Sequence, residues 1–169
     1  IPFLGICLGM QMAIIEFARN VLKLKDCHST EFKKTKNPVI CLMTEWFKNG
    51  RIEKRNIKSN MGGTMRLGSY PCVIKEGSLA HKIYLEKKIK ERHRHRYEIN
   101  INYKKMFEKH NVIFSGLSPD KNLTEIFEYQ QHPWFLGVQF HPELKSRPLN
   151  PHPIFVSFIK ACIDKHKLL

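Results

Sequence analysis

The 169 residues carry a formal net charge of +14, with 42% hydrophobic and 11% aromatic side chains. That is one domain by length, able to bury roughly 70% of the surface its unfolded chain would expose. No apolar run is long enough to span a bilayer, so no membrane partner is expected, and no stretch reads as a secretory signal. The five cysteines (Cys7, Cys27, Cys41, Cys72 and Cys162) are odd in number and lack any C-x-x-C spacing. This argues against a disulfide framework or a zinc site and for a reducing, cytoplasmic compartment. The charge admits two readings, nucleic-acid or acidic-ligand binding and a lysine-rich solvated surface. Lysines are scattered through every segment (Lys23, Lys33, Lys48, Lys75, Lys104, Lys145, Lys165). The solvated surface is therefore preferred, and nucleic acid is not expected as a partner.

In chain order, Ile1, Phe3, Leu4 and Ile6 lead as a buried strand into Gly5-Ile6-Cys7-Leu8-Gly9. This is the cysteine version of the G-x-S-x-G nucleophile elbow, a strand, a sharp turn and a helix. Glycines flank the turn because a Cβ there would clash, and the helix N-terminus favours a thiolate at Cys7. A buried, inert cysteine fits the pentapeptide equally well. Ile1 is not a natural start, and such a strand should lie centrally in a parallel sheet. Missing N-terminal strands and a larger polypeptide are therefore expected.

Leu8–Leu22 has helical spacing, with Met12, Ile15, Ala18 and Leu22 on one stripe. Residues 23–37 read as a polar loop containing His28-Ser29-Thr30-Glu31-Phe32, and Pro38 opens a strand through Met43. Asn49-Gly50 signals a turn. Met61-Gly62-Gly63-Thr64-Met65-Arg66-Leu67-Gly68 lacks phosphate-loop spacing and reads better as a lid. A strand (71–75) and a short helix (77–85) follow. In the run Arg92-His93-Arg94-His95-Arg96-Tyr97-Glu98, strand alternation puts the arginines on one face and the histidines and Tyr97 on the other. The arginine face reads as a carboxylate or phosphate site, or as a charged edge strand. No ligand at matching spacing supports metal at His93 and His95, so no metal site is expected. A short helix (103–110), two strands joined by a turn at Ser118-Pro119-Asp120, and a strand ending at Phe140 come next. Residues 154–165 form a closing helix with Ile154, Phe155, Phe158, Ile159, Cys162 and Ile163 on its apolar face. The class is α/β: an open, mostly parallel central sheet with flanking helices.

Val138-Gln139-Phe140-His141-Pro142-Glu143 supplies what Cys7 lacks. A nucleophilic cysteine needs a base, and the base needs an orienting acceptor. His141 lies at a strand end, where side chains emerge into the cleft of an open α/β sheet. Glu143 can reach the ring nitrogen facing away from Cys7.

Together, the elbow and the late His-Pro-Glu resemble the class I, or triad, glutamine amidotransferases. The longer runs at residues 2–11, 29–32, 62–68, 92–98 and 132–135 are similar to the CTP synthase family. The resemblance implies a partial amidotransferase domain over 1–169, with an N-terminal synthase domain of the same polypeptide lying upstream. It implies hydrolysis of L-glutamine at Cys7, His141 and Glu143, with the ammonia used for ATP-dependent conversion of UTP to CTP. It carries glutamine binding onto Leu8, Gly9, Met10, Gln11, Glu31 and Arg96. It makes the Leu8 N–H an oxyanion donor and ties Arg66 to a lid linked to GTP. No cofactor is implied in this domain; ATP, magnesium and allosteric GTP are implied for the whole enzyme, as is a homotetramer. Amidotransferase domains serving GMP or anthranilate synthesis, and a non-catalytic basic module on the same fold, are the alternatives.

Overall fold

The structure, a computed structural model, describes residues 1–42, 45–48, 51–54 and 65–166. Met43, the Asn49-Gly50 turn and Met61 to Thr64 of the glycine-rich segment lie outside the described residues. In chain order the elements are β1 (Phe3–Ile6), α1 (Leu8–Asn20), β2 (Cys27–Ser29), β3 (Asn37–Leu42), β4 (Glu45–Lys48), β5 (Arg51–Lys54) and β6 (Arg66–Ile74). Then follow α2 (Leu79–Tyr84), β7 (Lys88–His95), β8 (Tyr97–Ile99), α3 (Lys104–Glu108), β9 (Val112–Leu117), β10 (Thr124–Tyr129), β11 (Phe135–Val138) and α4 (Pro153–His166).

Six strands form an open sheet in the order β1-β11-β10-β9-β6-β7, beside a smaller sheet β2-β3-β8 and the β4-β5 ribbon. The α/β class with flanking helices is as expected, but the sheet is not mostly parallel. Only β1 and β11 run parallel in it; the other pairings are antiparallel. Short connections dictate this. The turns between β9 and β10 and between β10 and β11 are too short for the crossover a parallel neighbour needs. Among the described residues β1 pairs with β11 alone.

Side-chain alternation in the sheet builds two cores. On one face Met10, Ile14 and Phe17 of α1 meet Phe107 of α3, Phe114 and Phe127. On the other, Ile126, Leu136, Val138 and Phe140 meet Ala80 of α2 and Ile154 of α4. Adjacent Ile126 and Phe127 thus point into opposite layers, as the period of two requires. Helix α4 buries Ile154 and sets Phe158 against Trp134, but Ile159 and Ile163 remain half-exposed. Its apolar residues cover more than the one face that meets the sheet.

Alternation also holds along β7, with Arg92 and Arg94 exposed and His93 and His95 buried. The two imidazoles meet, Nδ1 of His93 at 2.8 Å from Nε2 of His95. Beside them Arg66, 2% exposed, is bound by the carboxylates of Glu98 (3.2 Å) and Glu125 (3.1 Å) and lies over the Tyr70 ring. Burial, with the Arg66 charge adding to it, holds His95 down to about 3 and lowers His93 as well. Such a ring is neutral in the fold and takes up a proton on unfolding below its ordinary 6.5. Its contribution to stability is therefore complete above that pH and lost as pH falls toward about 3. In His95→Gln, the loss of unfolding free energy below pH 6.5 is expected to be shallower by about 1 kcal/mol per pH unit. Urea titrations across that range giving equal slopes would contradict it.

Candidate active site

Between β1 and α1 stands a single residue, Cys7, with φ 50° and ψ −103°. A positive φ at a residue with a side chain stores strain of order 1–3 kcal/mol. The turn closes because residue 5 is glycine: a Cβ there would lie 2.9 Å from backbone atoms of Gly9 and Met10. The Cys7 N–H donates to the Val138 carbonyl at 2.7 Å, tying the turn to the neighbouring strand. The elbow read from the glycine pattern is thus present.

The β1–β11 pair is in register from Phe3 with Phe135 to Ile6 with Val138. Cys7 leaves one strand, and Gln139 and His141 leave the other, at the same sheet edge. The His141 N–H donates to the Arg92 carbonyl at 2.8 Å, and Pro142–Leu144 turns through one 3₁₀ helix. That turn brings Glu143 Oε1 to 2.6 Å from His141 Nδ1. The other ring nitrogen, Nε2, is buried and makes no hydrogen bond among the described residues. Its bond to the Cys7 sulfur is therefore not made in the resting geometry; such bonds commonly tighten only when substrate arrives.

Burial pushes the Cys7 thiol up to about 11. The Leu8 N–H and the Gln139 amide act against burial, while the charges of Glu98 and Glu143 add to it. At rest the sulfur is thus a neutral thiol, and the helix terminus alone does not ionise it. A proton acceptor is required, and a histidine with its Nδ1 held by a carboxylate presents one on Nε2.

Cys7 opens into a cleft of about 530 Å³ lined by Leu8, Gln11, Glu31, Met65, Arg94, His95, Arg96 and Tyr97. Of the six residues the resemblance assigned to glutamine, Leu8, Gln11, Glu31 and Arg96 lie on this wall. Two do not. Met10 is fully buried in the α1 core, because the helical period turns it away from the cleft. Gly9 lies over Gly5, where its backbone approach serves the turn. Arg66 also departs from expectation. Its guanidinium is directed inward onto two buried carboxylates, so it is a core residue at the base of the glycine-rich segment rather than part of a lid. Sequence reasoning put Arg94 on a face read as a carboxylate or phosphate site, and it missed His95, Tyr97, Met65 and Gln139. The alternation that exposed Arg92 was the available signal for Arg94; nothing local marked Gln139.

The glutamine amidotransferase class-I family model matches residues 1–161. The CTP synthase of Pelagibacter ubique is 64% identical over 167 residues, 99% of this chain. That of Bartonella quintana is 56% identical over 169 residues, the whole chain. The chain spans 31% of the length of each. Among solved structures, the Trypanosoma brucei CTPS glutaminase domain with bound acivicin superposes with a TM-score of 0.84 at 34% identity. That match covers 97% of this chain and 61% of the other. A GMP synthase protein of Thermoplasma acidophilum, at 18% identity and a TM-score of 0.58, shares the fold. With the elbow and the His141–Glu143 pair at one sheet edge, these matches place the chain in the class I glutamine amidotransferases.

Proposed function

We propose that this chain is the glutaminase part of a CTP synthase. The observation that carries the reading is the in-register parallel pairing of β1 and β11. It delivers Cys7 and His141–Glu143 to one edge beside a cleft of mixed charge. Glutamine enters with its α-ammonium toward Glu31 and its α-carboxylate toward Arg96 and Arg94. His141 Nε2 takes the Cys7 proton as the sulfur attacks the side-chain amide. Its Nδ1–H, held by Glu143, supports the imidazolium that forms. The Leu8 N–H donates to the developing oxyanion, an interaction worth on the order of 10²–10³ in rate. The imidazolium returns its proton to the departing ammonia, leaving a γ-glutamyl thioester. Water, deprotonated by His141, then releases glutamate and restores the thiol.

The ammonia aminates UTP in a synthase domain supplied by the rest of the polypeptide, where ATP and magnesium act, in a cytoplasmic homotetramer activated by GTP. No step on this chain's own residues runs through those groups, and Arg66, bound to Glu98 and Glu125, is not placed to hold a nucleotide. The test is product formation by the full-length protein with UTP, ATP and magnesium. CTP is expected with either glutamine or ammonium as nitrogen source, and one glutamate per CTP with glutamine. Glutamate release without CTP from either source would overturn the acceptor assignment.

A further inference from the structure

Beneath the cleft, three polar groups of fixed orientation stand in series. Gln11 Nε2 donates to the Tyr97 carbonyl at 3.0 Å and to Gln139 Oε1 at 3.2 Å. Gln139 Nε2 in turn donates to the Cys7 sulfur at 3.7 Å. Gln11 is 3% exposed and Gln139 is fully buried. The order of donors is dictated. A backbone carbonyl only accepts, so Gln11 must present its NH₂ to Tyr97. The second N–H of that NH₂ meets Gln139 on its carbonyl side, and the Gln139 NH₂ is left facing sulfur. The Gln139 main chain is anchored as well, its N–H donating to the Glu125 carbonyl at 2.9 Å.

We propose that Gln139 is a positioning residue for glutamine hydrolysis: its amide, oriented by Gln11 and the Tyr97 carbonyl, donates to the Cys7 sulfur and holds it in place as the thiolate forms. The inference rests on Cys7 being the nucleophile. The surroundings make such a donor useful. Glu98 of β8 and Glu143 oppose negative charge on the sulfur, and burial opposes it further. The groups favouring it are the Leu8 N–H and this amide. Among the described residues Arg94, Arg96, His95 and Glu31 line the same cleft, and His141, with its buried Nε2, leaves β11 at the same sheet edge. A donor to an ionised acceptor is stronger than one to a neutral acceptor, so the bond tightens when the proton leaves.

The test is alkylation of Cys7 by iodoacetamide across pH in the full-length protein, quantified on the Cys7 peptide by mass spectrometry. In Gln139→Met, the pH of half-maximal reactivity is expected to rise by about one unit, with a loss of roughly tenfold in rate below it. Gln139→Glu keeps the bond from Gln11 but places a carboxylate at the sulfur, and is expected to move the midpoint further up. Gln11→Met frees the Gln139 amide to rotate and is expected to give a smaller shift in the same direction. A Gln139→Met protein with a lowered melting temperature but the wild-type alkylation profile would show a purely structural residue and overturn the proposal. If Gln139→Met does not fold, an unchanged profile in Gln11→Met overturns it instead. Alkylation involves no turnover, so these outcomes are independent of the nucleophile assignment, which fails separately if a Cys7→Ala protein still hydrolyses glutamine.

Discussion

Replacing Cys7 by Ala in the full-length protein is expected to lower glutamine-dependent CTP formation by a factor on the order of 10⁴ or more. Formation from ammonium should stay within about twofold of wild type. The size follows from what the sulfur does. In the proposed mechanism it forms the covalent bond that divides amide hydrolysis into two steps. The selectivity follows from where it stands. Cys7 reaches the cleft of this chain, whereas external ammonia needs no thioester. The resting thiol, pushed up to about 11 by burial, makes the histidine indispensable. At pH 7 roughly one sulfur in 10⁴ would otherwise be ionised. Equal loss with glutamine and ammonium would mean that the substitution damages the fold rather than the chemistry. Retention of both would remove Cys7 from the reaction.

The second large effect concerns stability. Arg66→Met removes the cation between Glu98 and Glu125 and leaves two carboxylates buried without it. Breaking a buried pair in this way costs about 3–5 kcal/mol. A domain is commonly stable by only about 5–15 kcal/mol. The expected readout is faster hydrogen exchange at the amides of β6 and β10, the strands that carry Arg66 and Glu125. Lower pH should partly restore protection, because the alternative, a protonated carboxyl, needs no cation. Glu98, which burial already holds up to about 7, is the first expected to protonate. Wild-type exchange in Arg66→Met, with loss confined to activation by GTP, would instead restore Arg66 to a lid.

The contrast between these two residues shows what the sequence makes legible. The elbow could be read because its requirements are local. One glycine must admit the backbone of Gly9 and Met10, and one residue must take a strained turn. His141-Pro142-Glu143 was legible for the same reason, since a two-residue separation and a proline suffice to bring carboxylate and ring together. The alternation of β7 was equally local. Arg66 was misread because its partners come from β8 and β10, far along the chain, and a lone arginine after glycines gives no sign of burial. The parallel sheet was overextended from one true parallel pair. Strand direction depends on whether a connection leaves room for a crossover, and the short turns around β10 do not. Met10 was carried over with its neighbours, although one step along a helix turns a side chain by about 100°. Gln139 was invisible because its role needs Gln11, Tyr97 and Cys7 in one place.

The most direct measurement of the central claim is covalent labelling of the full-length protein with an electrophilic glutamine analogue such as acivicin, followed by peptide mass spectrometry. A single adduct on the Cys7 peptide, suppressed by excess glutamine, is the expected result. A protein whose Cys7 stays unmodified while glutamine hydrolysis stops, or continues undiminished, would contradict the account.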